Sequence, residues 1–260
     1  MQKNQNDKSY KRAQPSEKQE SRIPAEGVRL NRFLSEAGIC SRREADRRIA
    51  DGRVTIDGRV AEVGQKLMPG QRVACDGVAV SGKDAPVLLA VNKPRGIVCT
   101  TSDKDRAENI VEFLDYPVRI YPIGRLDKDS EGLLLMTNEG ELVNLRARYG
   151  HEKEYLVTVD KPIDSEFVRK MSAGVKILDT VTRPCEVEKT GKTSFRIILT
   201  QGLNRQIRRM CEALGYQVQT LKRVRMLNIT LDGLKTGEYR EVTAAERQKL
   251  EDILNGKKNG

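Results

Sequence analysis

The sequence predicts an α+β protein: a small N-terminal α/β unit followed by a larger domain with a mostly antiparallel mixed sheet flanked by helices. Three observations lead there. A chain of 260 residues is long enough for two modest cores. Val28 to Gly82 holds two short helical patterns and two Asp-Gly hairpin signals. From Val87 onward, apolar runs of strand length are interleaved with amphipathic helical stretches.

Residues 1–27 are rich in Gln, Lys, Ser and Glu and read as a disordered basic arm with little to bury. In the unit spanning 28–82, Leu30, Phe33, Leu34 and Ala37 recur at helical spacing and Gly38 ends that helix. Ser41 and Glu44 form a predicted capping box for a second helix, which buries Ala45 and Ile49. The same helix carries Arg42, Arg43, Arg47 and Arg48, and so few acids are at hand that these arginines read as phosphate contacts. Two echoed segments, Arg53–Val60 and Arg72–Val80, each carry Asp-Gly between alternating apolar residues.

Residues 83–86 read as a linker, 87–255 as the larger domain and 256–260 as a frayed tail. Strands are expected at Val87–Val91, Val118–Ile123, Leu133–Met136, Tyr155–Val159, Ser194–Thr200 and Val218–Ile229. Helices are expected at Asn109–Leu114, Leu142–Arg148, Phe167–Met171, Asn204–Leu214 and Ala244–Leu254. In the Asn204–Leu214 helix, Asn204 is the expected N-cap, with Ile207, Met210, Cys211 and Leu214 on one face.

The formal net charge of +10 suggests an anionic polymer as partner. No apolar run approaches the roughly 20 residues that span a bilayer, and the N-terminus lacks the apolar core of a signal peptide, so a cytoplasmic protein with no membrane partner is expected. Five scattered cysteines without C-x-x-C argue against a disulfide framework or a zinc site. One histidine, His151, makes a histidine-based triad improbable and leaves chemistry to carboxylates, Lys, Arg, Tyr or a cofactor.

The densest cluster of functional side chains is Gly124–Asn138, GRLDKDSEGLLLMTN, where a charged loop runs directly into an apolar strand. Asp127, Asp129 and Glu131 imitate the first half of a calcium loop. The twelfth position is Asn138 rather than a bidentate Glu, so no metal is expected. Gly191-Lys192-Thr193 imitates the end of a phosphate-binding loop, but the first glycine of that motif falls on Glu186, and Gly191 reads as a hairpin turn. By composition alone, an Asp beside an Arg is most often a structural ion pair.

Arg29–Val60 resembles the S4 RNA-binding domain. Gly124–Asn138 resembles the signature of the RsuA-type pseudouridine synthases. Lys93-Pro94-Arg95-Gly96, Lys153–Val157 and Gly202–Met210 resemble three further segments of that family, in the same order. The segment His151–Ile163 and the long late helix look most similar to RluF-type members.

That resemblance implies an enzyme that isomerises a uridine without a cofactor. Asp127 would be the catalytic carboxylate, acting as base or nucleophile. Arg208 would pair with it and keep it ionised, and Tyr155 would stack on the flipped base. Arg125, Ile207, Lys93 and Arg205 would contact the substrate or support the loop. RNA contacts would come from Arg29, Arg32, Ser41, Arg42, Arg43, Arg47, Arg48 and Arg53. The expected substrate is ribosomal RNA, of the large subunit first, with a tRNA as a second substrate and small-subunit RNA left open; nothing demands an oligomer. The alternative from another class is a non-catalytic S4-domain RNA-binding or ribosome-assembly protein. The joint presence of Asp127, Arg208 and Tyr155 in their motifs favours the enzyme.

Overall fold

A computed structural model describes residues 23–82, 84–99, 108–145 and 151–256. Residues 1–22 of the expected arm (1–27), part of the linker, the end of the expected Leu142–Arg148 helix and the last four residues lie outside the described residues, while Ile23, within the expected arm, packs against the first core. Contacts divide the chain into two units, Met1–Ala85 with Tyr116–Arg119, and Pro86–Asp115 with Ile120–Gly260.

The first unit contains, in order, β1 (Val28–Arg29), α1 (Leu30–Glu36), α2 (Arg42–Ala50), β2 (Val54–Ile56), β3 (Arg59–Val60), β4 (Lys66–Leu67), β5 (Val73–Cys75) and β6 (Val78–Ala79). Strands β3-β2-β5-β6 form an antiparallel sheet, and β1 pairs with β4. Both Asp-Gly turns form as expected: Asp57-Gly58 and Asp76-Gly77 have positive φ at both residues, the geometry of a tight hairpin turn. Leu30, Phe33, Leu34, Ala45, Ile49, Val54, Ile56, Leu67 and Val73 form one core.

The second unit adds β7 (Leu88–Lys93), α3 (Ile110–Leu114), β8 (Tyr121–Pro122), β9 (Glu131–Thr137), α4 (Gly140–Leu145), β10 (Lys153–Val159), α5 (Ser165–Ala173), β11 (Lys176–Ile177) and β12 (Thr180–Val181). It continues with β13 (Glu186–Lys189), β14 (Ser194–Leu199), α6 (Gln206–Ala213), β15 (Val218–Met226), β16 (Ile229–Thr230), β17 (Tyr239–Glu241) and α7 (Ala244–Leu254). Its nine-stranded sheet runs β13-β14-β10-β15-β9-β7-β17, with β16 on β15 and β8 on β9. Every pairing is antiparallel except β9 with β15. The mixed, mostly antiparallel sheet is the one expected.

The middle strand β9 is buried from Gly132 to Thr137, which is why it reads as an uninterrupted apolar run rather than an alternating one. Gly132 has φ +104° and faces Arg223 across the parallel pair; a Cβ there would stand 2.2 Å from the Arg223 carbonyl oxygen. Only glycine permits both that conformation and that approach.

Candidate active site

The second unit contains a cleft of about 330 Å³, lined among others by Arg125, Asp127, Ser130, Tyr155, Arg205, Gln206, Ile207, Arg208 and Arg223. The sheet and one helix assemble it. The loop before β9 supplies Arg125 and Asp127. Strand β10 supplies Tyr155, whose register partner on β15 is Arg223. Helix α6 supplies Ile207 and Arg208. The three residues expected to carry the chemistry, Asp127, Tyr155 and Arg208, thus share one cleft, as do Arg125, Arg205 and Ile207.

Asp127 is half-buried, and its carboxylate makes no hydrogen bond or ion pair with any described residue. Its backbone is fixed instead: the Ser130 amide donates to the Asp127 carbonyl at 3.0 Å, and the Gly96 amide donates to the Lys128 carbonyl at 2.8 Å. The second bond ties the Lys-Pro-Arg-Gly segment to the loop. Tyr155 is 9% exposed and lies within the sheet, so its ring has little freedom to move.

The expected ion pair between Asp127 and Arg208 is not formed. Arg208 Nη2 donates to the Asp129 carbonyl at 3.0 Å and to Ser130 Oγ at 3.3 Å, while its Nη1 donates to the Val218 carbonyl at 3.4 Å. The guanidinium therefore grips the backbone of the Asp127 loop rather than the carboxylate. Burial lowers the Arg208 pKa most and the nearby Arg205 charge adds to this, while Asp129 and Asp127 act in the opposite direction.

Of the two roles expected for Lys93, contact with substrate or support of the loop, its surroundings fit the second. It is 0% exposed, and its ammonium donates to the carbonyls of Pro94 at 2.8 Å and Ser130 at 2.9 Å. With no accessible surface it is out of reach of a ligand in the cleft; it props the loop that carries Asp127. Burial pushes its pKa down, and the charge of Asp127 is among those that favour its cationic form.

Helix α6 begins at Gln206 rather than Asn204. The Asn204 side chain accepts from Arg209 Nη2 at 3.3 Å instead of capping the helix. Arg205 occupies the N-cap with φ 50° and ψ 36° and makes no side-chain cap. That left-handed conformation costs a non-glycine residue about 1–2 kcal/mol. Its one charged partner is Asp129, at 3.7 Å, and both side chains are largely exposed, so the pair returns only about 0–1 kcal/mol.

Residues that the sequence did not single out complete the floor. Arg223 is 3% exposed and donates from Nε to the Leu133 carbonyl at 2.6 Å, with its Nη2 buried and unpartnered. Ser130 is 1% exposed and serves both Lys93 and Arg208. Gln206 is buried and accepts from the Leu203 amide at 3.1 Å. The glycine facing Arg223 was the one local hint that something approaches closely there.

In the first unit, the expectation of few acids near the arginines fails. Arg32 pairs with Glu36 at 2.7 Å, Arg47 with Glu44 at 2.7 Å, Arg48 with Glu44 at 3.3 Å and Asp76 at 3.5 Å, and Arg53 with Asp76 at 2.6 Å. Ser41 is half a capping box: its hydroxyl accepts from the Glu44 amide at 3.2 Å, while Glu44 turns to the two arginines rather than back to the cap. Arg29 donates to the Gly64 carbonyl at 3.2 Å. Arg42 and Arg43 alone of the expected set are exposed with no partner among the described residues.

Comparison with known proteins agrees with this geometry. Residues 87–213 match the RNA pseudouridylate synthase family and residues 28–73 match the S4 domain. The chain belongs to the RsuA-type RNA pseudouridine synthases. Among its relatives, the dual-specificity RNA pseudouridine synthase RluF of Escherichia coli K12 is 55% identical over 228 residues, covering 86% of this chain and 78% of that protein. The ribosomal large subunit pseudouridine synthase B of Bacillus subtilis is 36% identical over 242 residues, covering 89% and 98%. A crystal structure of a pseudouridylate synthase superposes with a TM-score of 0.62 at 28% identity, covering 86% of this chain and 99% of that one.

Proposed function

We propose that this enzyme converts one uridine of ribosomal RNA, in the large subunit, to pseudouridine, with a tRNA as a second substrate, and that Asp127 is its catalytic carboxylate. The substrate is supported by the names of the relatives: dual-specificity for RluF and large-subunit for the Bacillus protein. The observation that carries the role of Asp127 is its place in a cleft shared with Tyr155 and Arg208, with no hydrogen-bond or ion-pair partner for its carboxylate among the described residues.

The reaction is an internal rearrangement. The C1′–N1 bond breaks, the base turns, C1′ joins C5, and the proton lost from C5 is balanced by one gained at N1. No electrons are transferred, so a carboxylate acting as base or nucleophile on the freed sugar–base pair is sufficient chemistry. Uridine must leave its stack to reach Asp127, and the ring of Tyr155 offers the flipped base a flat apolar face. Arg208 orients the loop through the Asp129 carbonyl, and Arg125 and Arg205 at the rim suit backbone phosphates. Lys93 and Arg223 supply positive charge behind the carboxylate. A ribosomal RNA substrate supports a cytoplasmic location.

The test is pseudouridine mapping with carbodiimide in total RNA from cells lacking the gene, complemented with wild type or Asp127→Asn. One site in ribosomal RNA and one in a tRNA should vanish on deletion and return with wild type only. Their return with the Asn variant would reject the role of Asp127; persistence of the ribosomal site on deletion would reject the function, and persistence of the tRNA site alone would remove the second substrate.

A further inference from the structure

Asp129 has no assigned role, yet it touches both arginines that α6 brings to the cleft. Its carboxylate lies 3.7 Å from Arg205 Nη1, and its carbonyl accepts from Arg208 Nη2 at 3.0 Å. We propose that the Asp129 carboxylate is a stand-in for an RNA phosphate: it holds Arg205 over the cleft in the free protein and yields that guanidinium to a backbone phosphate when the strand enters. The proposal rests on the reading of the cleft as the RNA site.

The exchange is chemically even. A carboxylate and a phosphodiester each carry one negative charge and present two oxygens that the guanidinium fork can engage. The pair is also easily surrendered, since its partners are 42% and 56% exposed and therefore well solvated. The backbone of Arg205 points the same way. Its left-handed conformation is not compensated by this weak pair or by any cap, as expected of a residue set for a partner that arrives later.

Charge around the loop adds a third argument. Arg95 and Arg205 both act on Arg208 as like charges, so three guanidinium groups face the two carboxylates of Asp127 and Asp129. An arriving phosphate relieves that excess, whereas a bare Arg205 would add to it. Because Arg208 is held by the Asp129 carbonyl and not by its side chain, the handover leaves the loop anchored.

A double-mutant cycle on the full-length protein tests this, with a fluorescent uridine-containing RNA hairpin as probe. Asp129→Asn should tighten binding by about two- to fivefold, Arg205→Gln should weaken it comparably, and Asp129→Asn added to Arg205→Gln should change nothing further. Asp129→Glu should return affinity towards wild type. An unchanged or weaker Asp129→Asn overturns the proposal, as does equal tightening with Arg205 absent, which would reduce Asp129 to general repulsion of RNA. If potassium phosphate at matched ionic strength displaces the hairpin only from proteins that carry Arg205, the exchange belongs to free phosphate instead. The Asp127→Asn activity test is independent: its failure removes the cleft reading, while a null cycle beside a dead Asp127→Asn removes only the role of Asp129.

Discussion

Lys93 lies beneath the loop that carries Asp127, with its ammonium shared between two carbonyls. Lys93→Met keeps the length of the stem but leaves both acceptors without their donor, at a cost of about 1–3 kcal/mol. The expected result is a lower denaturation midpoint together with reduced turnover at saturating RNA, and unchanged stability would remove the strut role. Nothing local in the sequence announces this. The Lys-Pro-Arg-Gly motif left substrate contact and support of the loop both open, and the burial that decides between them depends on a carbonyl 37 residues away. Arg208 teaches the same lesson: its motif gives the guanidinium but not its partner, because the partner is a backbone atom of a distant loop. The loop-to-strand junction pointed to the region of Asp127, but Asp127 and Tyr155 themselves were singled out only by the resemblance of their motifs to the family's.

Strand β9 and helix α7 carry the predictions at the scale of the element. Gly132→Ala puts a methyl group 2.2 Å from the Arg223 carbonyl at φ +104°, so strands β9 and β15 must part. A loss on the order of 4 kcal/mol or more is expected in chemical denaturation, with activity falling alongside. Helix α7 opens with a capping box between Thr243 and Glu246, and Glu246 also binds Arg240 at 2.7 Å. Arg240 above all holds the Glu246 carboxyl down at about 2. That stability is fully present above the unfolded value of about 4.3 and is lost as pH falls through the folded value, so wild type should weaken between these two. Glu246→Gln should cost about 1–3 kcal/mol at neutral pH and flatten the acid limb of a stability-versus-pH curve.

Helix α7 forms over Ala244–Leu254, the span its pattern predicts, because cap and apolar spacing agree. Strands β13 and β17 were missed. Glu-Val-Glu-Lys and Tyr-Arg-Glu lie at the two ends of the sheet path, where a strand has one neighbour and no alternating pattern is demanded. The start of α6 was misread because Asn204 is a good cap by type, and only the reach of Arg209 takes its oxygen away.

At the scale of the whole chain, the net charge of +10 is spread over two kinds of arginine. Those with acidic neighbours, such as Arg48 and Arg53, are already neutralised, and an RNA phosphate must compete for them. Arg42 and Arg43 have no such partner among the described residues and are free to release counterions when they meet RNA. Arg42→Ala with Arg43→Ala should therefore reduce the slope of log affinity against log salt by roughly one to two, and Arg48→Ala by less. Binding measured from low to moderate salt checks this, and equal slopes for both variants would contradict it. The split between the two kinds was not legible, because Asp76, the partner of Arg48 and Arg53, is brought in by a strand pairing rather than by sequence proximity.

The parallel pairing of β9 with β15 has a consequence for how the enzyme is made. It joins Gly132 to Arg223, far apart in the chain, and Arg223 lines the same cleft as Asp127. A chain emerging from the ribosome can form the first unit and the β7–β9 hairpin-like pair early. It cannot complete the cleft until the later strand has been made and has paired beside the earlier one. Closing the cleft is thus a long-range step that follows the local hairpins and sets the pace of folding in the second unit.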